Sequence, residues 1–217
     1  MTPEANTGCA AGEALRVDGG RLWDSLMEMA RIGATSRGGV RRLALTEEDR
    51  AGRELFRSWC AQERCEVSVD RIGNLFARRQ GRDPARPPVV IGSHLDSQPT
   101  GGRFDGAVGV LAGLEIIRRL NDLGIATQAS LEVAVWTNEE GARFAPAMLG
   151  SGAFAGVFDL DDALGRTDAE GTSGAKRSTG SDTPEPSRSV HDPSPHTSSC
   201  TSSRGRFSSR NPLPLAW

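Results

Sequence analysis

The stretch Ile91–Gly106, IGSHLDSQPTGGRFDG, constrains this chain more than any other. It holds His94, the only histidine among the first 190 residues, with Asp96 two positions on and Asp105 eleven on. Pro88-Val89-Val90-Ile91 leads into it, and Gly101-Gly102 turns it toward Asp105. An apolar run ending in polar residues and glycines predicts a buried central strand that delivers side chains at its carboxyl end, where α/β folds place their sites. An imidazole and two carboxylates suit Zn²⁺ or a related divalent ion. On a strand, His94 and Asp96 share a face, which lets Asp96 hold the second imidazole nitrogen. Asp105, next to a helix N-terminus, could bridge two metals. The same residues also fit a surface histidine beside a turn with two capping aspartates. Taken alone, the segment leaves both readings open.

The surrounding pattern gives that strand a context. From Gly20, the spacing of Leu22, Leu26, Met27, Met29 and Ala30 predicts a helix ending at Ile32-Gly33. A polar, Gly/Arg-rich loop follows over 34–45. Thr46 reads as an N-cap with Glu47, Glu48 and Asp49 in the first turn, and Ala51, Leu55, Phe56, Trp59 and Cys60 as the buried face of a second helix. Glu66–Asp70 and Ile72–Arg79 read as strands around a turn at Arg71–Asn74, and 80–87 as a breaker-rich loop. Ala107–Leu120 is apolar most of the way round, with Gly124 as its C′ residue, so the helix belongs between layers. Ala129–Thr137 reads as an interior strand and Met148–Phe158 as a further helix. Strands alternating with helices, with polar clusters at strand ends, predict an α/β fold.

Charge and composition exclude some functions. With 217 residues, a net charge of −2 and a pI near 6.0, the chain carries no footprint for nucleic acid or an anionic membrane. No apolar run approaches the ~18 residues needed to span a bilayer. The N-terminus lacks the basic and apolar segments of a secretory signal. Cys9, Cys60, Cys65 and Cys200 form no CxxC pair. Free thiols, and so a cytoplasmic setting, are the expectation.

A second constellation bears on the first. Glu139 and Glu140 follow the apolar strand directly, and adjacent carboxylates there repel unless a metal or a proton neutralises one. One carboxylate binding a cation beside another that takes a proton from water is a workable division of labour. A solvated Glu-Glu at a helix start is the plainer explanation of such a pair.

Taken together, GSHLDSQPTGGRFDG and VAVWTNEEGARF resemble the zinc-dependent amidohydrolases of the hydantoinase/carbamoylase group. That group comprises N-carbamoyl-L-amino-acid hydrolases, allantoate amidohydrolases and β-ureidopropionases, within the M20 metallopeptidase clan. The likeness runs from about Leu22 to Thr172 and is dense from Val89 to Phe158. It implies a partial M20-type catalytic domain, a central sheet flanked by helices. Two divalent ions are implied, Zn²⁺ first, with Mn, Co or Ni as alternatives. His94 would bind one metal, Glu140 the other, and Asp105 both. Glu139 would be the general base and Asp96 would orient His94. The implied reaction is hydrolysis of a carbamoyl or amide C–N bond of a small N-carbamoyl or ureido substrate, by a hydroxide held between the metals. Gln98, Asn138 and Arg143 lie in the same motifs without an assigned role. The Gln98–Phe104 wording favours the carbamoylases over the M20 exopeptidases and aminoacylases that share the metal cluster.

The likeness stops near Thr172. Family members continue into a lid that carries the homodimer contact, and two further metal-binding histidines belong to their later parts. The domains read as a flexible 1–19, a metallohydrolase portion over 20–171, and a Ser/Pro-rich stretch over 172–217 without apolar periodicity, expected to be disordered. His191 and His196 lie in that last stretch and inherit no ligand role.

Codon degeneracy offers an account of it. Ser198–Ser209 can be encoded by bases that, read one base earlier, give Phe-Glu-Leu-His-Ile-Glu-Gln-Gly-Pro-Val-Leu-Glu, a family-like segment. Extending back to His191 permits Arg-Pro-Ile-Ala-Ala-Tyr before it, and Ala175–Gly180 permits Gly-Glu-Ala-Leu-Asp. One base lost near codons 172–175 would place everything after it out of frame. A natural Ser/Pro-rich tail is the alternative. On the frameshift reading the polypeptide is a truncated enzyme with little or no turnover, or a non-catalytic remnant.

Overall fold

The computed structural model describes residues 15–173. The sequence boundary at 19/20 falls one residue inside the first helix, and the expectations for 1–14 and 174–217 lie outside the described residues.

Helix α1 spans Gly19–Met29, its first turn capped by the Asp18 carboxylate, which accepts the Arg21 N–H at 3.0 Å. It buries Ser25, Leu26 and Met29 and stops before the expected Ile32-Gly33. Helix α2 spans Glu47–Gln62 behind the expected Thr46 cap, which accepts from the Asp49 N–H. Its buried face is Asp49, Gly52, Phe56, Trp59 and Cys60, whereas Ala51 and Leu55 only flank it. The face turns toward Asp49 because that carboxylate has partners inside. It accepts the Leu45 N–H at 2.8 Å and pairs with Arg53 at 3.0 Å.

Four strands form one sheet in the order β1-β2-β4-β3: β1 Glu66–Val69, β2 Leu75–Arg79, β3 Val89–His94 and β4 Leu131–Trp136. β1–β2 and β2–β4 are antiparallel, and β3–β4 is parallel with His94 opposite Trp136. The turn before β2 takes more residues than expected. Asp70 accepts the N–H groups of Ile72 and Asn74, so pairing starts at Leu75 rather than Ile72.

The position of β3 is the main correction. The sequence predicts it buried and central, yet it is the edge of this sheet, with Val89 53 % and Val90 48 % exposed. β4 is the interior strand, buried along nearly its whole length. Apolarity marks a strand that needs cover, but it cannot say whether the covering neighbour lies within the chain at hand.

Helix α3, Ala107–Asp122, carries the chain from β3 back to β4. Val110, Leu111, Leu114 and Ile117 pack with Leu75, Ala77, Val133 and Val135 of the sheet, and with Leu26, Met29, Phe56 and Trp59 of α1 and α2. Burying each such side chain contributes about 1.5–3 kcal/mol. Val108 faces solvent, so this side of the helix is left uncovered rather than packed between layers. Gly124 ends it as expected, with the Ile125 N–H bonding to Leu120 O and the Gly124 N–H to Asn121 O. The fully buried Glu115 of α3 pairs with Arg21 of α1 at 2.8 Å.

The opposite face of the sheet carries Phe76 and Trp136. It meets α4, Leu149–Phe154, through Phe154, whose ring lies 5.5 Å from Phe76 and 5.3 Å from Trp136. The expected Met148–Phe158 helix breaks after Phe154, and the chain restarts as α5, Leu160–Leu164, capped by Asp159. Among the described residues, no helix is long and apolar enough to cross a membrane.

Candidate active site at the ends of the parallel strands

β3 and β4 run parallel and end side by side, so His94 and the 137–141 turn meet at their carboxyl ends. The His94 ring is almost fully buried. Its Nδ1 lies 2.8 Å from the backbone oxygen of Asp96. A carbonyl only accepts, so this contact assigns the proton to Nδ1 and leaves the Nε2 lone pair outward. Nε2 lies 3.4 Å from Oε2 of Glu139. A lone pair facing a carboxylate calls for a proton or a cation between them.

Gly106 packs on the other side of this ring. A Cβ there would sit 2.5–2.6 Å from three ring atoms, and the residue takes a φ of +66° just ahead of α3. Only glycine meets both demands.

Asp96 works differently from the expectation. β3 ends at His94, so the alternation that would bring the Asp96 side chain onto the imidazole is already lost. The backbone oxygen holds the ring, while the carboxylate accepts the N–H groups of Glu139 and Glu140 at 3.3 and 3.2 Å. Burial pushes its pKa up to about 6, and the negative Asp49 adds to that; His94, the Glu140 N–H and Arg53 oppose it.

Beneath lies a buried charge network that sequence reasoning missed. Arg42, 1 % exposed, donates from Nε to Leu95 O at 2.6 Å and from one terminal nitrogen to Ile32 O at 2.9 Å. Its backbone and Ser97 exchange two hydrogen bonds, Ser97 N–H to Arg42 O and Arg42 N–H to Ser97 Oγ. Arg53 grips both Asp49 oxygens and reaches Gly73 O and Thr137 Oγ1, linking α2 to the end of β4. Nothing in an Arg-rich loop distinguishes Arg42 from its exposed neighbour Arg41; for Asp49, the first-turn position concealed the second role.

The residues without an assigned role find one here. Gln98 donates to the Glu140 carboxylate at 2.8 Å. Asn138, at φ +52°, donates to Phe144 O at 2.6 Å and folds the turn back on itself. Arg143 binds Asp168 at 3.0 Å and Ala44 O at 2.8 Å. Glu139 and Glu140 thus lie in a turn stapled at both ends, not at a helix start.

A cavity of about 480 Å³ opens onto His94 and Glu139, with Trp136, Met148 and Phe154 as its apolar wall. Asp105 is exposed in the glycine turn before Gly106. Among the described residues, no group of three or more His, Cys, Asp or Glu side chains converges closely enough to hold a metal. The expected set gives each of two ions only two of these donors, Asp105 with His94 on one and Asp105 with Glu140 on the other, which is short of such a group. The donor chemistry fits a divalent ion in part: Nε2 of His94, oriented through Nδ1, faces a carboxylate.

The profile of Peptidase family M28 matches residues 74–177, which include this site. The N-carbamoyl-L-amino-acid amidohydrolase of Rhizobium meliloti is 58 % identical over 164 residues, 76 % of this chain and 39 % of that protein. An enzyme of the same name from Geobacillus stearothermophilus is 44 % identical over 72 % of this chain and 38 % of its own length. The crystal structure of a hydantoinase/carbamoylase family amidase from Burkholderia ambifaria superposes with a TM-score of 0.75 at 64 % identity, over 76 % of this chain and 40 % of that one.

Fold and site together define a domain of the M28/M20 metallopeptidase type. Within that class the chain belongs to the hydantoinase/carbamoylase amidohydrolases, an enzyme family hydrolysing C–N bonds. It spans about two-fifths of the length of the relatives it matches.

Proposed function

We propose that the chain carries one side of a binuclear amidohydrolase centre for the carbamoyl C–N bond of N-carbamoyl-L-amino acids or related ureido compounds, in a cytoplasmic protein. The single observation supporting this is the His94–Glu139 pair, with Nδ1 fixed by the Asp96 carbonyl and Nε2 turned to a carboxylate 3.4 Å away. His94, Asp105 and Glu140 would hold divalent ions, Zn²⁺ first. Bound there, such ions supply Lewis acidity and lower the pKa of bound water. Glu139 is the general base, and its carboxylate opens onto the cavity where substrate would lie. Asp96 positions both sides, His94 through its backbone and the Glu139-Glu140 turn through its carboxylate. Gln98 fixes the Glu140 carboxylate, and Trp136, Met148 and Phe154 give the cavity one apolar wall.

A second reading concerns this polypeptide rather than its family. The chain covers about two-fifths of its relatives, and no three donors converge among the described residues, so it binds metal loosely and turns over slowly or not at all. The out-of-frame account of 172–217 supplies the cause, and sequencing the gene across those codons tests it.

One experiment addresses the catalytic reading. Purified 1–217 is loaded with Zn²⁺, Mn²⁺ or Co²⁺ and offered an N-carbamoyl-L-amino acid and a dipeptide. Weak turnover of the ureido substrate alone is expected, absent in Glu139→Gln. Preference for the dipeptide transfers the assignment to the exopeptidases. Turnover matching the full-length relatives removes the second reading.

A further inference from the structure

The turn that carries Glu139 and Glu140 belongs to a closed loop, Thr137–Gly150. Its two legs are joined by successive backbone hydrogen bonds. The Gly150 N–H donates to Thr137 O at 2.9 Å, the Leu149 N–H to Asn138 O at 3.3 Å and the Met148 N–H to Glu139 O at 2.7 Å. The Glu139 N–H is held by Asp96 at 3.3 Å. The Glu139 carboxylate has no comparable anchor. Among the described residues it pairs with Nε2 of His94 alone, and its side chain keeps 31 % exposure. Where that carboxylate stands is therefore set by the backbone of the loop.

One side chain holds the neck of the loop. The β2–β4 ladder begins at the Leu75–Val135 pair, and one residue earlier the Asn74 side chain takes the place of a strand. Its Oδ1 accepts the Thr137 N–H at 2.9 Å, and its Nδ2 donates to Gly150 O at 2.9 Å. A single carboxamide thus ties both legs. Asn74 has no exposed surface, and Thr137 and Gly150 are buried with it. Its removal would leave a buried N–H without a partner.

Two features show that this carboxamide is built into its place. Asp70 Oδ2 accepts Nδ2 of Asn74 at 2.8 Å, which turns the amide oxygen toward Thr137. Reversed, the amide would set N–H against N–H and its oxygen against two others. Gly150 makes the necessary room, because a Cβ there would collide with Asn74 Oδ1 and lie 2.6 Å from Thr137 O. Arg53 steadies the same point from the side, through Thr137 Oγ1 at 3.3 Å.

We infer that Asn74 is a positioning residue for Glu139. Its carboxamide closes the neck of the 137–150 loop and so sets where the Glu139 carboxylate meets His94. The catalytic meaning of this role rests on the reading of Glu139 as the general base. A base displaced by about 1 Å can cost on the order of a hundredfold in rate.

The test uses metal-free 1–217 and requires no turnover. In Asn74→Ala, amide exchange at Thr137, Met148 and Gly150 is expected to speed about tenfold or more, while that at Val133 and Leu114 changes less than about threefold. The ¹⁵N shift of His94 Nε2, which faces Glu139, is expected to move. That of Nδ1, held on the Asp96 carbonyl, is expected to stay. A merely structural role would speed all five amides alike and leave both ring shifts in place. Either of those results overturns the inference. Should Asn74→Ala fail to fold, the unmodified chain decides. Its Asn74 carboxamide protons are expected to exchange together with the Met148 and Gly150 N–H groups. Free exchange of the carboxamide beside a protected loop overturns the inference. Failure of the base assignment in Glu139→Gln would leave these results standing, and their failure would leave the base assignment standing.

Discussion

Nε2 of His94 and Oε2 of Glu139 face each other at 3.4 Å across the ends of two parallel strands, one residue from each side of the cavity. The roles assigned to the pair are separable. Removing a metal ligand weakens binding, whereas neutralising a base leaves binding intact and stops the reaction. His94→Ala is expected to raise the Kd for Zn²⁺ at least tenfold in a chelator competition, and Glu139→Gln to change it less than about threefold. Equal losses in the two variants would make Glu139 a ligand and leave the base unassigned.

Asp96 gives a pH signature in the metal-free chain. Its folded-state pKa is raised from 3.8 to about 6, chiefly by burial. A carboxyl raised in the folded state contributes stability in its protonated form. That contribution is full below the unfolded pKa and disappears as pH rises through the folded one. Between pH 4 and pH 7, metal-free protein should therefore lose on the order of 1–3 kcal/mol relative to Asp96→Asn, measured from urea midpoints in the presence of chelator. A difference that grows in the other direction would mean that the Glu139 and Glu140 N–H groups outweigh desolvation.

Gly106 tests how tightly the imidazole is held. Alanine would have to adopt a φ of +66° and place its Cβ 2.5 Å from the ring of His94. The backbone cost alone is about 1–2 kcal/mol. Gly106→Ala is expected to lower the melting temperature and to alter the His94 ring ¹⁵N shifts, since the ring must leave the Asp96 carbonyl to make room. A stable variant with unchanged shifts would show that the turn before α3 yields instead.

Legibility in the sequence followed the locality of the cause. The Thr46 cap, the Gly124 terminus and the interior position of β4 rest on residues close together in the chain, and each is legible in the sequence. So is the convergence of β3 with the Glu139-Glu140 turn, because both segments announce a strand that ends in polar residues. The edge position of β3 was not legible, since it depends on how the strands pair across the sheet and not on the residues of β3 itself. The two-sided role of Asp96 depends on β3 stopping at His94 rather than running on to Asp96. Arg42 was the least legible residue. Its neighbours Met29, Ile32 and Leu95 come from two other segments, and a guanidinium in a polar loop suggests solvent.

Arg42 is also where a substitution far from any reacting atom should matter. Its guanidinium fills the space beneath the His94–Ser97 segment and donates to the carbonyls of Leu95, Ile32 and Met29, while burial lowers its pKa. Truncation strands those carbonyls without partners and leaves a void next to Gly52, where an added Cβ would lie 3.1 Å from Arg42 Cδ. An unpaired buried acceptor costs roughly 1–3 kcal/mol, so Arg42→Met should destabilise the chain by about 2–4 kcal/mol, methionine recovering part of the packing. Arg42→Lys keeps the charge but has one nitrogen to serve carbonyls that lie on different sides, and it should recover less than half of the loss. Urea titration of the three proteins at one pH measures both effects. If lysine restores full stability, the charge beneath Asp96 and Asp49 is what counts there, and the directional hydrogen bonds of the guanidinium are secondary.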